Sequence, residues 1–383
     1  MARLARRAAG RPVIAPLDEA ADHLLYGGKT LAAHAAAAAA ALGLELVRIA
    51  SDEPVPKEVV AVVDDDVLFD AVVLQRLLRS PQGPVRQAAI AAGTALHRAS
   101  RVPLVPPAPV PLPVPVPVPL PVPLWAGAVV GHRFDTFEGA DIVVVADDPG
   151  CRTVDVRPFG APPHRLELVD VTAGMLGWPR HWLHVLELSL GALHTTLRSA
   201  PTTVRADRRR GQRIHPTARV ERSVLGDNVV VEAHAAIIDS VIGNDVLVGD
   251  HSVIHTSVIG ERCRTLVDTH LRRTVAMAGS TLSNLDMQDA VCGREVFLTT
   301  GVAFFHDGPG RSVEVDGVDT GRPVLGGAIG RRAVLGSRAL FRAGLALPAG
   351  ALIVARPEEA IGRFDERSLS KAAMRLGDRA HDV

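Results

Sequence analysis

From residue 214 onward the apolar positions of the chain fall at a fixed spacing. The segments IHPTARVERSVLG, VEAHAAIIDSVIG and VGDHSVIHTSVIG, starting at Ile214, Val231 and Val248, align without gaps at a period of 17 residues. In each, an apolar residue stands at the first position and again six and eleven residues later: Ile214, Val220, Leu225; Val231, Ile237, Ile242; Val248, Ile254, Ile259. Ser223, Ser240 and Ser257 fall in register. Neither a helix nor a simple hairpin has this period. After Gly326 the step becomes a regular six, through Ile329, Leu335, Phe341, Leu347 and Ile353, with Ala333, Ala339, Leu345 and Ala351 four residues further on in each unit. Cys292, Val296, Leu298 and Val302 keep the same spacing. A six-residue unit with one large aliphatic and one small residue suits one flat face of a three-sided β-solenoid, with a coil of about 18 residues. The pattern covers residues 212 to 356.

The N-terminal part reads differently. Residues 29 to 42, KTLAAHAAAAAAAL, predict a helix closed by Gly43. An apolar strand, Val59 to Val63, runs into Asp64, Asp65 and Asp66, and a second helix follows over Ala71 to Arg79. Carboxylates at the end of a buried strand lie where open α/β sheets place ligands, and a divalent ion bound to phosphates is a usual use for them. Residues 103 to 123 carry proline at nearly every second position, which predicts extended polyproline II unable to donate a sheet ladder. That run reads as a spacer or expanded loop, with docking to a proline-recognising partner as the alternative. The resulting division is an α/β domain over 1–204, a basic boundary at 205–213, the solenoid over 214–356 and a tail over 357–383, expected to form a helix capping the solenoid.

Composition narrows the functional classes. The chain has 383 residues, with 42 basic and 42 acidic side chains, and the zero balance argues against a general nucleic-acid binder. No apolar run reaches the roughly 18 residues of a membrane span, and no secretory signal opens the chain, so a cytoplasmic location is expected. Cys151, Cys263 and Cys292 are too few and too far apart for a disulfide framework or a zinc site. Lys29, Lys57 and Lys371 are the only lysines.

The repeats resemble the left-handed parallel β-helix of the hexapeptide family, which implies a homotrimer. The N-terminal motifs resemble the sugar-1-phosphate nucleotidyltransferases, whose Rossmann-like domain often precedes such a β-helix. Ala8-Ala9-Gly10, Pro16-Leu17-Asp18 and Gly27-Gly28-Lys29-Thr30-Leu31 follow the order of that family's opening motifs, and Asp64-Asp65-Asp66 matches its metal motif. Residues 313 to 336 also resemble the last coils of its bifunctional nucleotidyltransferase and acyltransferase members. The resemblance implies an NTP and a sugar phosphate as substrates, Mg²⁺ on Asp66 and Asp64, and phosphates facing Gly10, Arg11, Gly27 and Gly28.

Departures from the family pattern open two further readings. The loop glycines and arginine that would cradle a triphosphate are replaced by Arg11-Pro12-Val13-Ile14-Ala15, and proline removes an amide donor there. The family's lysine falls on Ala21, and the expected second metal carboxylate falls near His181 and His184. These losses suit a trimeric scaffold or regulatory pseudoenzyme. A third reading is an acyltransferase that takes an acyl group from acyl-CoA onto a sugar. Such an enzyme needs a histidine base. The family's position reads Ala278-Gly279-Ser280, which leaves His306, beside Asp307, and His270 as candidates. His215, His234, His251 and His255 are expected to point outward from the coils.

Overall fold

A computed structural model describes residues 1–8, 13–81, 85–90, 120–127, 141–146, 152–156, 164–168, 174–283, 286–299, 301–304, 312–336 and 339–354. It has an N-terminal α/β region followed by a hexapeptide-repeat β-helix. The strands of the first region are β1 (Arg3–Arg7), β2 (Val13–Ile14), β3 (Glu19–Ala20), β4 (Glu45–Ile49), β5 (Val59–Asp64), β6 (Leu68–Phe69), β7 (Val85–Ile90), β8 (Leu120–Gly127) and β9 (Asp141–Ala146). Six of them form one mixed sheet in the order β4-β1-β5-β8-β7-β9, with β1 parallel to both its neighbours.

Local sequence accounts for the helices. In α1 (Leu31–Ala41) Thr30 Oγ1 accepts the Ala33 amide, and Gly43 takes a left-handed φ of 65° just past the end. In α2 (Ala71–Arg79) one Asp70 oxygen accepts the Val73 amide at 2.9 Å, and the other accepts those of Gly174 and Met175 at 2.8 and 3.0 Å. Asp70 thus caps α2 and ties it to the segment leading into α3 (Trp182–Leu197). The proline run needs a correction. Its last four residues belong to β8, which pairs with β5 through Leu124 to Ala126 and with β7 through Leu120 and Pro121. The prolines stand at the start of the strand, where few ladder donors are required; residues 103–119 lie outside the described ones, as does the tail from 355 onward.

The β-helix has three parallel faces. The first runs from Arg213–Ile214 through eight strands to Leu352–Ile353, the second from Arg219–Glu221 through five to Met287–Gln288, and the third from Val224–Leu225 through seven to Ala346–Leu347. The repeat residues point inward: Val231, Ile237, Ile242, Val248, Ile254 and Ile259 are all buried in one core with Cys263, Cys292 and Leu335. Burial pushes the Cys292 thiol up to about 12, which keeps it an inert core residue.

The short five-residue step between Val220 and Leu225 is a tight corner. Arg222, Asp239, Thr256, Arg273 and Asp289 stack there with left-handed φ values between 41° and 49°. The serine that follows each of the first three of these residues is what makes the corner tolerable. Ser223, Ser240 and Ser257 each donate to the carbonyl two residues back, and each accepts the amide of the next coil's corner at 3.1 Å. Thr274, at the next corner, likewise donates to the carbonyl two residues back. Each of the three serine hydroxyls thereby serves as both donor and acceptor between neighbouring coils.

The two regions share a core. Twelve consecutive residues of α3, Trp182 to Leu193, are buried, and the helix lies against Val241, Val258, Val275 and Val291 of the third face. Gly27 and Gly28 permit this contact. A Cβ on Gly27 would stand 2.5 Å from the Ala192 carbonyl carbon, and one on Gly28 would stand 2.5 Å from Val241 Cγ1. Among the described residues no helix is long and apolar enough to cross a membrane.

Candidate functional site

Two constellations carry chemistry. The first is the acidic end of β5. Arg7 and Asp64 are register partners, and the guanidinium grips both carboxylate oxygens at 2.7 and 3.0 Å. Asp66 receives Trp178 Nε1 at 3.2 Å and lies 2.9 Å from Arg180 Nη1, while that guanidinium stacks 3.9 Å from the Trp178 ring centroid. Burial pushes the carboxyls of Asp64 and Asp66 above the usual range, although Arg7 and Arg180 act in the opposite direction. His181 and His184 do not join this group. His181 caps α3 by accepting the Leu183 amide and meets Asp316 at 3.1 Å, and His184 accepts the Arg180 amide.

The described donor set does not fit Mg²⁺. Both carboxylates are engaged by arginines, and no three His, Cys, Asp or Glu side chains among the described residues are grouped to hold a metal ion. Gly10 and Arg11 lie outside the described residues. Gly27 and Gly28 are accounted for by the close approach of α3 and of Val241.

The second constellation sits on the tight corner of the β-helix, where the end of α3 crosses it. A cavity of about 440 Å³ is lined by His194, Leu197 and Arg198 from α3 and by Arg222, Asp239, His255 and Thr256 from the coils. Arg222 holds Asp239 through two hydrogen bonds of 2.6 and 2.8 Å. That contact keeps the Asp239 carboxyl below the usual range, and His255 and His194 act in the same direction. Thr256 Oγ1 lies 2.9 Å from His255 Nδ1 and orients the ring. The cavity therefore gathers two imidazoles, an ionised carboxylate and two guanidinium groups.

His255 does point outward from its coil, as the repeat pattern predicts, but the end of α3 turns that outward side into a half-buried wall. Sequence reasoning did not single out His194 or Arg198, because they stand on a helix outside the repeats. His234 and His251 are exposed and stack on each other with ring centroids 5.0 Å apart, and His215 and His270 are exposed. His306 and Asp307 lie outside the described residues.

Comparison with known proteins gives two findings. Residues 210–273 match the family model described as GlmU-like, C-terminal hexapeptide. No curated protein matches the chain. Among solved structures, the chain is similar to a mutant GDP-perosamine N-acetyl transferase from Caulobacter crescentus in complex with CoA and GDP-perosamine. That similarity has 22% identity and a TM-score of 0.18, and covers 38% of this chain and 54% of the other. The chain thus spans about half the length of that protein.

Proposed function

We propose that the protein is a hexapeptide-type acyltransferase that moves an acyl group from acyl-CoA to an amine or hydroxyl of a sugar. The supporting observation is that the hexapeptide match, residues 210–273, contains Arg222, Asp239, His255 and Thr256, which line one cavity. In this reading His255 is the general base. It takes the proton of the acceptor N–H or O–H as the acceptor atom attacks the thioester carbonyl carbon. The C–S bond breaks, and the CoA thiolate leaves and is protonated by the imidazolium. Asp239 supplies negative charge near the imidazolium, and Arg198 and Arg222 face the phosphates of the donor or the acceptor.

Nucleotidyl transfer from an NTP to a sugar phosphate is supported less. Its chemistry requires Asp66 and Asp64 to hold Mg²⁺, and both face arginines instead. The same contacts suit an N-terminal domain that is a scaffold. A homotrimer built through the β-helix belongs to the proposal, and its mass in solution tests that part.

The deciding experiment follows free CoA thiol release from acetyl-CoA with a panel of amino sugars, sugar phosphates and nucleotide sugars. Turnover that collapses in His255→Ala supports the proposal. Absence of turnover with every acceptor, or turnover unchanged in that variant, removes it.

A further inference from the structure

Arg222, Asp239, Thr256, Arg273 and Asp289 stack at the tight corner of the β-helix, and four of them pair along the column. Arg222 holds Asp239 and Arg273 holds Asp289, each at 2.6 Å. Thr256, between the two pairs, carries no charge to join either. It is also the β-branched member of the column, and its φ of 49° lies in the left-handed region, where a branched Cβ is costly. Glycine, asparagine or aspartate suits that backbone better. The corner alone therefore gives no reason for a threonine at this place.

The preceding residue supplies one. Thr256 Oγ1 lies 2.9 Å from His255 Nδ1, and Thr256 is buried, so water competes little for the hydroxyl. A neutral imidazole has one nitrogen that donates and one that accepts, so the partner of Nδ1 selects which nitrogen keeps the lone pair. A general base must turn its lone pair to the acceptor, and Nδ1 is turned to Thr256. The nitrogen left for the acceptor is Nε2.

Resting on the reading of His255 as general base, we infer that Thr256 is a positioning residue that holds His255 in the Nδ1–H tautomer, with the lone pair on Nε2. Nε2 takes the proton of the acceptor as the bond to the thioester carbon forms, and gives it to the departing thiolate once the C–S bond breaks. Nδ1 keeps its proton throughout. Oγ1 accepts from Nδ1–H in the neutral ring and in the imidazolium alike, so nothing at the corner has to move during turnover. Asp239 supplies the counter-charge, and a neutral partner on Nδ1 is then sufficient.

Nitrogen-15 NMR of the full chain, labelled on the histidine ring nitrogens, reads the tautomer whether or not any substrate is turned over. Spectra are taken at about pH 9, where an ordinary imidazole is neutral, and His255→Ala identifies the resonances. In the unaltered protein Nδ1 is expected to be the protonated nitrogen. Thr256→Val keeps the size and branching without the hydroxyl and should lose that preference, whereas Thr256→Ser should keep it. In the acetyl-CoA assay Thr256→Val should lower kcat about tenfold at an unchanged KM for acetyl-CoA, and Thr256→Ser should restore it. A proton on Nε2 in the unaltered protein, or the same ring spectrum in Thr256→Val, would overturn the inference. The expected tautomer in a protein that turns over no acceptor leaves the role of Thr256 standing and removes the acyl-transfer reading alone. Unchanged near-ultraviolet circular dichroism verifies that both variants are folded.

Discussion

Arg180 Nη1 lies 2.9 Å from Asp66 Oδ2, the carboxylate that the nucleotidyltransferase resemblance assigns to Mg²⁺. The two residues are not equivalent in this contact. The Asp66 side chain is 4% exposed and that of Arg180 is 22% exposed, so only the arginine can turn to water when its partner is lost.

The expected outcome is an asymmetry between the two single substitutions. Arg180→Ala leaves a buried carboxylate without its counter-charge and should cost about 3 kcal/mol. Asp66→Asn should cost clearly less, since burial already disfavours the charged carboxylate. Urea unfolding followed by tryptophan fluorescence compares them, and equal costs would mean that the pair is not seated as described.

The serine ladder predicts a local effect. Ser240→Ala removes the acceptor of the Ser257 amide and should cost about 1–3 kcal/mol. Ser240→Thr keeps a hydroxyl at this place and should restore most of it; Thr274, one coil beyond Ser257, already places a threonine hydroxyl at the equivalent corner, donating to the Arg272 carbonyl. Hydrogen exchange at the Ser257 amide, faster in the alanine variant and near normal in the threonine variant, is the direct readout.

Glu187 links the two regions through charge. It meets Arg322 at 2.7 Å and Arg273 at 3.9 Å, and Arg273 holds Asp289 at 2.6 Å. Burial pushes its carboxyl up, but Arg322, Arg273 and His184 together outweigh burial and leave it below the usual range. A lowered folded value means that the folded chain binds fewer protons. The contribution is therefore present above about pH 4.5 and is lost as pH falls below that toward the folded value. Glu187→Gln should cost about 3 kcal/mol at neutral pH and flatten this acid limb in unfolding curves taken from pH 7 to 3.

Gly27 and Gly28 give a contrast. Gly27→Ala drives a Cβ into the backbone of α3 at a left-handed φ of 57° and should cost about 3 kcal/mol or more. Gly28→Ala, at a left-handed φ of 86°, meets only the Val241 side chain, so Val241→Ala in the same molecule should recover the contact part of its cost and leave the backbone strain. Melting temperatures of the three variants separate a backbone clash from a side-chain one.

For the proposed acyl transfer, His255→Ala should lower kcat by about 10²- to 10⁴-fold with little change in the KM for acetyl-CoA. A matched rise in KM at constant kcat would instead assign His255 to binding.

The inward row of the β-helix was legible in the sequence because each coil repeats the same demand. Ile237, Ile254 and Leu271 face one core, and a signal written several times adds up. The bounds of α2 and the Gly43 end of α1 were legible for a related reason: caps act within a few residues of what they cap. The register of Ser223, Ser240 and Ser257 was visible too, but not its purpose, which depends on donors in the neighbouring coil. Tertiary structure alone decided the sites. Asp66 and Trp178 are 112 residues apart, and Arg294 and Glu19 are 275 apart. Such pairs leave no period in the chain. His194 reaches the cavity of His255 only because α3 docks on the third face, and that docking was decided by Gly27, Gly28 and the shared apolar core. Sequence fixes what a residue can do to its near neighbours. Which distant charge it finally faces is settled when the two regions bury their apolar surface against each other.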